Sequence, residues 1–207
     1  MTAVTPRLTA ADFRARVLVG GAPDEDVGDH VLNPDLRQLV ESRSARAAAV
    51  LVPIVDHGDR ASVILTTRST GLRQHAGQVA FPGGSVDPGD ASPEAAALRE
   101  SFEEIGLDAG FVEPIGRLPR YSTTTGFKIT PVLAIIQPGF VLTPNPDEVA
   151  DVFEVPLDFL MDAANHISES RVWQGRERHY YVMPFGDRHI WGVTAGIIRT
   201  LYERLYA

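Results

Sequence analysis

The sequence predicts an α/β sandwich, and three observations predict it. Apolar, β-branched runs stand at 47–55, 62–67 and 129–136, with the lengths and compositions of buried strands. Helical patterns at 92–105 and 194–205 interleave with and follow them. Strands that alternate with helices bury the faces of a sheet between helical layers.

Residues 1–45 are expected to form an N-terminal helical extension ahead of one domain spanning 46–207. Within the extension, Thr9-Ala10-Ala11-Asp12 has the form of a cap opening a helix through Val19, which Gly20-Gly21 ends. A polar stretch with Pro23 and Pro34 follows, then a short helix around 36–41. The runs at 47–55 and 62–67, separated by His57-Gly58-Asp59, read as a β-hairpin. Residues 68–91 are loop-rich, with one short strand at 78–81. Ser92 as N-cap, Pro93 in the first turn and Gly106 as stop bracket the helix 92–105. Beyond the strand at 129–136 come a strand at 152–155, a short helix at 157–161 after Pro156, and a strand at 180–184 pairing with Ile190 and Trp191. A last helix runs from about 194 to 205.

Composition narrows the function classes. With 44% hydrophobic and 22% charged residues, the 207-residue chain can bury one sizeable core. No run approaches the ~18 consecutive apolar residues of a membrane span. A net charge of −8 argues against a nucleic-acid partner. The absence of cysteine excludes disulfides and thiolate metal sites. The opening MTAVTPRLTAADFRAR lacks the apolar stretch of a secretory signal and the closing ERLYA is no peroxisomal address, so a cytoplasmic protein is expected. Lys128 is the only lysine, which reads as compositional bias of the source genome, although arginine also suits bidentate phosphate contacts.

The helix 92–105 carries the chemistry. At about 100° per residue, Ala95, Leu98, Phe102 and Ile105 form one apolar stripe, while Glu100, Glu103 and Glu104 fall on nearly the opposite side. Glu94 lies far round the helix from them. Like charges at i, i+3 and i+4 repel by about 0.2–0.5 kcal/mol per pair. A solvated acidic face would explain the spacing taken alone; a hard divalent cation would offset the clustered charge. Upstream, Phe81-Pro82-Gly83-Gly84 and Asp87-Pro88-Gly89-Asp90 make a glycine-rich approach whose backbone can come close to a ligand.

These residues resemble the box of the Nudix family, G-x5-E-x7-R-E-U-x-E-E-x-G-U with U apolar. The chain reads Gly84, five residues, Asp90, eight residues, then Arg99-Glu100-Ser101-Phe102-Glu103-Glu104-Ile105-Gly106-Leu107. Asp90 replaces a Glu at a spacing one residue longer, and Ser101 stands where an apolar residue is usual. The preceding segment from Ile64 to Gly84 resembles the signature of the family's coenzyme A diphosphatase branch, L-L-T-x-R-[SA]-x3-R-x3-G-x3-F-P-G-G. Only Ile64 departs from it, conservatively. Asn145-Pro146-Asp147-Glu148-Val149 and Ile190-Trp191-Gly192 look like the same branch.

The resemblance implies a Nudix-type α/β/α sandwich with a mixed sheet between helices. It implies Mg²⁺ or Mn²⁺ held by Glu100, Glu103, Glu104 and the main-chain carbonyl of Gly83. Arg99 would orient the glutamates by ion pairing, and Glu148 would serve as general base or further ligand. Arg68, Arg73 and His75 would contact a polyanionic substrate that carboxylates alone would repel. The implied reaction is coenzyme A plus water to 3′,5′-ADP and 4′-phosphopantetheine, with a small-molecule nucleotide as the partner, neither nucleic acid nor membrane, and a homodimer left open. The alternatives are another substrate such as ADP-ribose, NADH or a dinucleoside polyphosphate, or a non-catalytic nucleotide-binding module of the same fold. No helix glutamate is lost, which speaks against the module. No G-K-[ST], H-E-x-x-H or G-x-S-x-G occurs, so P-loop, zinc-peptidase and serine-hydrolase readings lack support.

Overall fold

The two longest apolar runs lie side by side in parallel, Arg46 opposite Phe127 through Val55 opposite Ile136. A computed structural model describes residues 8–20, 25–42, 44–173 and 175–207. In chain order its elements are α1 (Ala10–Gly20), β1 (Val27–Gly28), α2 (Arg37–Ser42), β2 (Arg46–Asp56), β3 (Ala61–Arg68), β4 (Val79–Ala80), β5 (Gly83–Ser85) and α3 (Pro93–Ile105). They continue with β6 (Val112–Arg117), β7 (Tyr121–Ser122), β8 (Phe127–Ile136), β9 (Val149–Pro156), α4 (Leu157–Leu160), β10 (Ile167–Trp173), β11 (Arg176–Phe185), β12 (Arg188–Trp191) and α5 (Gly192–Leu205).

Among the described residues nine strands form one mixed sheet along β1-β7-β8-β2-β3-β4, with β5 on β2, β6 on β8 and β9 on β3. Side chains alternate across it as the period of a strand demands. Ala49, Leu51, Ile64, Val132, Ala134 and Ile136 pack with Ala96, Ala97 and Ile105 of α3 on one face. Val52, Ile54, Val63, Leu65, Leu133 and Ile135 pack with α1, α4 and α5 on the other. This is the expected α/β/α sandwich. A small antiparallel sheet, β10-β11-β12, adds Met183 and Ile190 to the α5 side; Val182 pairs with Trp191 and Met183 with Ile190, as expected.

The chain before β2 joins this core. Thr9 and Asp12 cap α1 reciprocally: Thr9 Oγ1 accepts from the Asp12 N–H at 3.1 Å and Asp12 Oδ2 from the Thr9 N–H at 3.2 Å. Phe13 is fully buried in the α5-side core, and β1 extends the sheet in parallel with β7. Gly21 and Pro23, expected at the end of the first helix and in the polar stretch after it, lie outside the described residues. Among the described residues no helix is long and apolar enough to cross a membrane.

One expectation is corrected. The buried face of α3 is Ala96, Ala97, Ser101, Glu104 and Ile105, whereas Ala95 and Leu98 are only half-buried and Phe102 is 59% exposed. Small residues turn inward because α3 lies close against β2 and β5. Ser101 satisfies its buried hydroxyl by donating to the Ala97 carbonyl at 2.7 Å. Glu104, expected off the buried side, is therefore on it.

Candidate active site

The site forms where β5 meets the middle of α3. Gly83, at φ +149°, pairs with Val50 across β5 and β2, and a Cβ there would stand 2.4 Å from the Ala49 carbonyl oxygen. A Cβ on Gly84 would stand 2.5 Å from the Glu100 carboxylate. Close approach to backbone thus requires glycine at 83, while Gly84 leaves room for the Glu100 carboxylate. The N–H of Gly83 donates to Glu104 Oε2 at 3.0 Å.

Arg99 gathers the remaining carboxylates. Its Nε and Nη2 donate to the two oxygens of Asp90 at 3.1 and 2.9 Å, its Nη1 to Glu100 and Glu103 at 3.0 Å each, and its Nη2 also to the Ser85 carbonyl at 3.1 Å. Asp90, which stands in place of the box's first glutamate, is the bidentate anchor of Arg99. Arg99 lowers the Asp90 pKa, and Asp90, opposing desolvation, raises that of Arg99.

Burial and like charge oppose ionisation deeper in. Glu104 is pushed up to about 7 by burial first; the Gly83 N–H and the Arg68 charge oppose this, and Glu100 and Glu148 add to it. Glu100 is also raised, chiefly by burial and with contributions from Glu103 and Glu148, against the pull of Arg99. Glu103, with its side chain 52% exposed, is held by Arg99.

Across from Glu104 the ladder between β3 and β9 shifts register between Thr67 and Arg68. Such a shift re-aims a side chain, and Arg68 Nη1 lies 3.9 Å from Glu104 Oε1. Its Nε is buried without an acceptor among the described residues. The Ser69 N–H donates to the Glu148 carbonyl at 2.8 Å, which ties the loop after β3 to the segment bearing Glu148. Arg73 and His75 sit exposed further along that loop. His75 adopts φ +57°, uncommon for a residue with a Cβ, with its Nδ1 2.9 Å from Gln78 Oε1. Sequence reasoning missed Arg188, which reaches Thr67 Oγ1 at 3.1 Å and Asp151 Oδ2 at 2.7 Å and closes one side of a groove of about 460 Å³ shared with Gly77, Val79 and Trp191. Its neighbours Ile190-Trp191-Gly192 were the available signal.

As they stand, no three acidic or histidine groups among the described residues form a ready-made metal cage. The donor set nonetheless fits a hard divalent cation. Glu100 and Glu104 concentrate buried negative charge that Arg68 and Arg99 offset only in part, and carboxylate and carbonyl oxygens are the ligands such a cation takes.

A profile of the NUDIX domain matches residues 45–174. The protein named Uncharacterized Nudix hydrolase NudL from Citrobacter koseri is 46% identical over 169 residues, covering 78% of this chain and 83% of its own. The protein of the same name from Escherichia coli K12 is 42% identical over 171 residues, covering 83% and 88%. A crystal structure of a MutT/nudix family protein from Enterococcus faecalis superposes with a TM-score of 0.52 at 17% identity, covering 95% of this chain and 74% of that one, a likeness of fold. This chain belongs to the Nudix family. It is a Nudix hydrolase, an enzyme acting on diphosphates, and hydrolases of this family generally use divalent metals such as Mg²⁺ or Mn²⁺.

Proposed function

We propose that the chain hydrolyses the diphosphate bond of coenzyme A or its acyl derivatives, giving 3′,5′-ADP and 4′-phosphopantetheine or its acyl form. Diphosphate hydrolysis is supported by the delivery of Arg68, by the register shift at the end of β3, to the buried carboxylate of Glu104, and the choice of coenzyme A by Arg73, exposed along the loop of the same branch-like segment. Arg68 lies within the Ile64-to-Gly84 segment that resembles this branch, and its guanidinium stands beside Glu104, where a diphosphate would need positive charge.

Glu100, Glu103, Glu104 and the Gly83 carbonyl would hold Mg²⁺ or Mn²⁺. When bound, the cation polarises phosphoryl oxygens and acidifies water. Arg99 fixes Glu100 and Glu103 from behind while anchored on Asp90, so it positions ligands and does not touch substrate. The Gly83 N–H orients Glu104. Arg68 neutralises charge on the diphosphate, and Glu148, tied to the same loop, is placed to take a proton from the attacking water or to complete the ligand set. Arg73 and His75 reach the parts of the substrate outside the diphosphate. In this reading residues 46–207 form the catalytic domain, the preceding extension buttresses it through Phe13, and the setting is cytoplasmic.

A hydrolysis panel of coenzyme A, acyl-CoAs, NADH and ADP-ribose at matched metal concentration tests the reading. Coenzyme A or a derivative is expected to give the highest kcat/KM. An advantage of about tenfold for ADP-ribose, roughly 1.4 kcal/mol at the transition state, overturns the substrate assignment and leaves the family intact.

A further inference from the structure

The strand β10 forms an edge of the small sheet. It pairs with β11 from Ile167 opposite Val182 to Trp173 opposite Arg176 without a register shift, and no strand lies on its other side among the described residues. All seven of its residues are exposed, with Val172 at 76% and Trp173 at 49%. Edges left open to water are ordinarily blunted by charged side chains, lysine above all, by proline or by a bulge. This strand has no lysine, proline or bulge, and its charges, Glu169 and Arg171, are one of each sign.

The strand is also complementary to itself. Turned antiparallel about its midpoint, Ser170, it sets Ile167 opposite Trp173, Ser168 opposite Val172, Glu169 opposite Arg171 and Ser170 opposite its own copy. The strand's two charges then meet as opposites, twice by symmetry. A shift of the centre to Glu169 or Arg171, or a parallel alignment in register, would set like charge against like. Opposite charges directly across a ladder are favourable and like charges are not, so full overlap is the register the charges select. Within one copy Glu169 accepts a hydrogen bond from the Tyr180 hydroxyl at 3.4 Å, the Arg171 guanidinium lies 5.0 Å from the Trp191 ring, and Ser170 Oγ donates to Glu177 at 2.6 Å. Glu169 and Arg171, two residues apart, share one face of the strand.

We propose that two copies of this chain associate through β10, antiparallel and centred on Ser170, joining their small sheets into one continuous sheet. The occupant of the open edge is a second copy, because the edge matches its own reverse in charge and in the placement of its apolar ends. The proposal does not depend on which diphosphate is the substrate.

Sedimentation equilibrium of the full chain should show a dimer. Glu169→Arg or Arg171→Glu puts like charges opposite at both crossings and should abolish it. The double exchange Glu169→Arg/Arg171→Glu restores the pairing and should recover the dimer, with thermal melting confirming that each variant is folded. The chain contains no cysteine, which permits a second reading. Directly opposed residues have Cα atoms about 4.5–5.5 Å apart, within disulfide reach. Ser170→Cys should therefore cross-link on mild oxidation, whereas Ser168→Cys, roughly 13 Å from its equivalent at about 3.3 Å per residue, should lag far behind. A monomer at every concentration, a dimer that survives both single reversals, a double exchange that stays monomeric, or equal cross-linking at 168 and 170 would each overturn the pairing.

Discussion

The segment from Gly83 to Glu104 and the segment from Arg68 to Gln78 meet at Glu104, and they are built in opposite ways. In the first, charged groups are closed on one another: Arg99 spans Asp90, Glu100 and Glu103, and Glu104 accepts from the Gly83 N–H. In the second, the backbone is closed, with the Arg68 N–H donating to the Gln78 carbonyl and the Gly77 N–H to that of Arg68, but the cationic side chains are left available. Arg73 and His75 are exposed, and Arg68 keeps a buried donor without an acceptor among the described residues. The closed segment holds negative charge in a fixed place; the open one offers positive charge to whatever arrives. On the proposed reading, chemistry common to every substrate resides in the first and substrate choice in the second. Substitutions in the first, and of Arg68 where the second meets Glu104, should depress all diphosphates by one factor, and those further along the second should discriminate.

The largest loss is expected from Glu104→Gln. The amide oxygen can still accept from Gly83, so the fold should hold, and removing a buried charge should leave Tm unchanged or higher. Activity at saturating Mg²⁺ should fall by about a hundredfold or more on every substrate, roughly 2.7 kcal/mol. Near-normal turnover would remove Glu104 from the site. Next comes Arg99→Lys, which keeps the charge but not the fork that holds Asp90 bidentately. Charge-assisted hydrogen bonds contribute about 1.5–3 kcal/mol, so a loss of roughly 10- to 150-fold is expected. A titration of activity against Mg²⁺ should show the half-saturating concentration rising, with KM for substrate little changed. The reverse pattern would make Arg99 a substrate contact.

Much of the closed segment was legible in the sequence, and the reason is local. Ser92 does cap α3, accepting from the Ala95 N–H at 3.2 Å, and Gly106 does end it at φ +68°, because caps and stops are written in adjacent residues. The convergence of Glu100, Glu103 and Glu104 on Arg99 and Gly83 follows from helical spacing and the glycine pair. What hydrophobicity alone could not show was which face of α3 is buried: Ala96, Ala97 and Ser101 are small enough for the sheet to come close, so the large Phe102 points outward. Besides the two- and three-residue strands β1, β5 and β7, two longer strands escaped notice for related reasons. Proline interrupts β6 at Pro114, where the ladder also slips, and β10, wholly exposed, has no apolar face to announce it. Arg188 was missed because its partners, Thr67 and Asp151, are brought to it only by tertiary folding.

The open segment separates Arg68 from Arg73. Arg68 stands beside Glu104 and should act on the diphosphate, common to all substrates; Arg73, exposed along the loop, is free to meet the 3′-phosphate that coenzyme A carries and dephospho-CoA lacks. Arg73→Ala should therefore lower kcat/KM for coenzyme A by about tenfold, near the low end for a charge-assisted contact in solvent, and leave dephospho-CoA nearly unchanged. Arg68→Ala should lower both by one factor. Equal losses on the two substrates with Arg73→Ala would show that the open segment does not discriminate, and the contrast drawn between the segments would fail.

The smallest effect sharpens the contrast from outside it. Glu94 is the other glutamate of α3, and it lies away from the site, paired with Arg117 through both carboxylate oxygens, one at 2.7 Å. The Arg117 guanidinium, first among its influences and against some desolvation, lowers its pKa to about 2. The folded value lies below the ordinary one of 4.5, so the pair stabilises the fold fully above about pH 4.5. That contribution fades as pH falls through the interval from 4.5 towards 2, where the folded carboxylate also takes up its proton. Arg117 is 44% exposed, and solvent screening keeps such a pair to about 1 kcal/mol or less. Denaturant unfolding of Glu94→Gln should accordingly show a deficit of that size at pH 7, and the deficit should close as the pH approaches 2. Hydrolysis at pH 7 should match the parent, since this glutamate shares a helix with the site but no contact with its carboxylates. A fall in activity comparable to that of Glu104→Gln, with stability unchanged, would mean that position along α3, and not enclosure by Gly83 and Arg99, decides which glutamates matter.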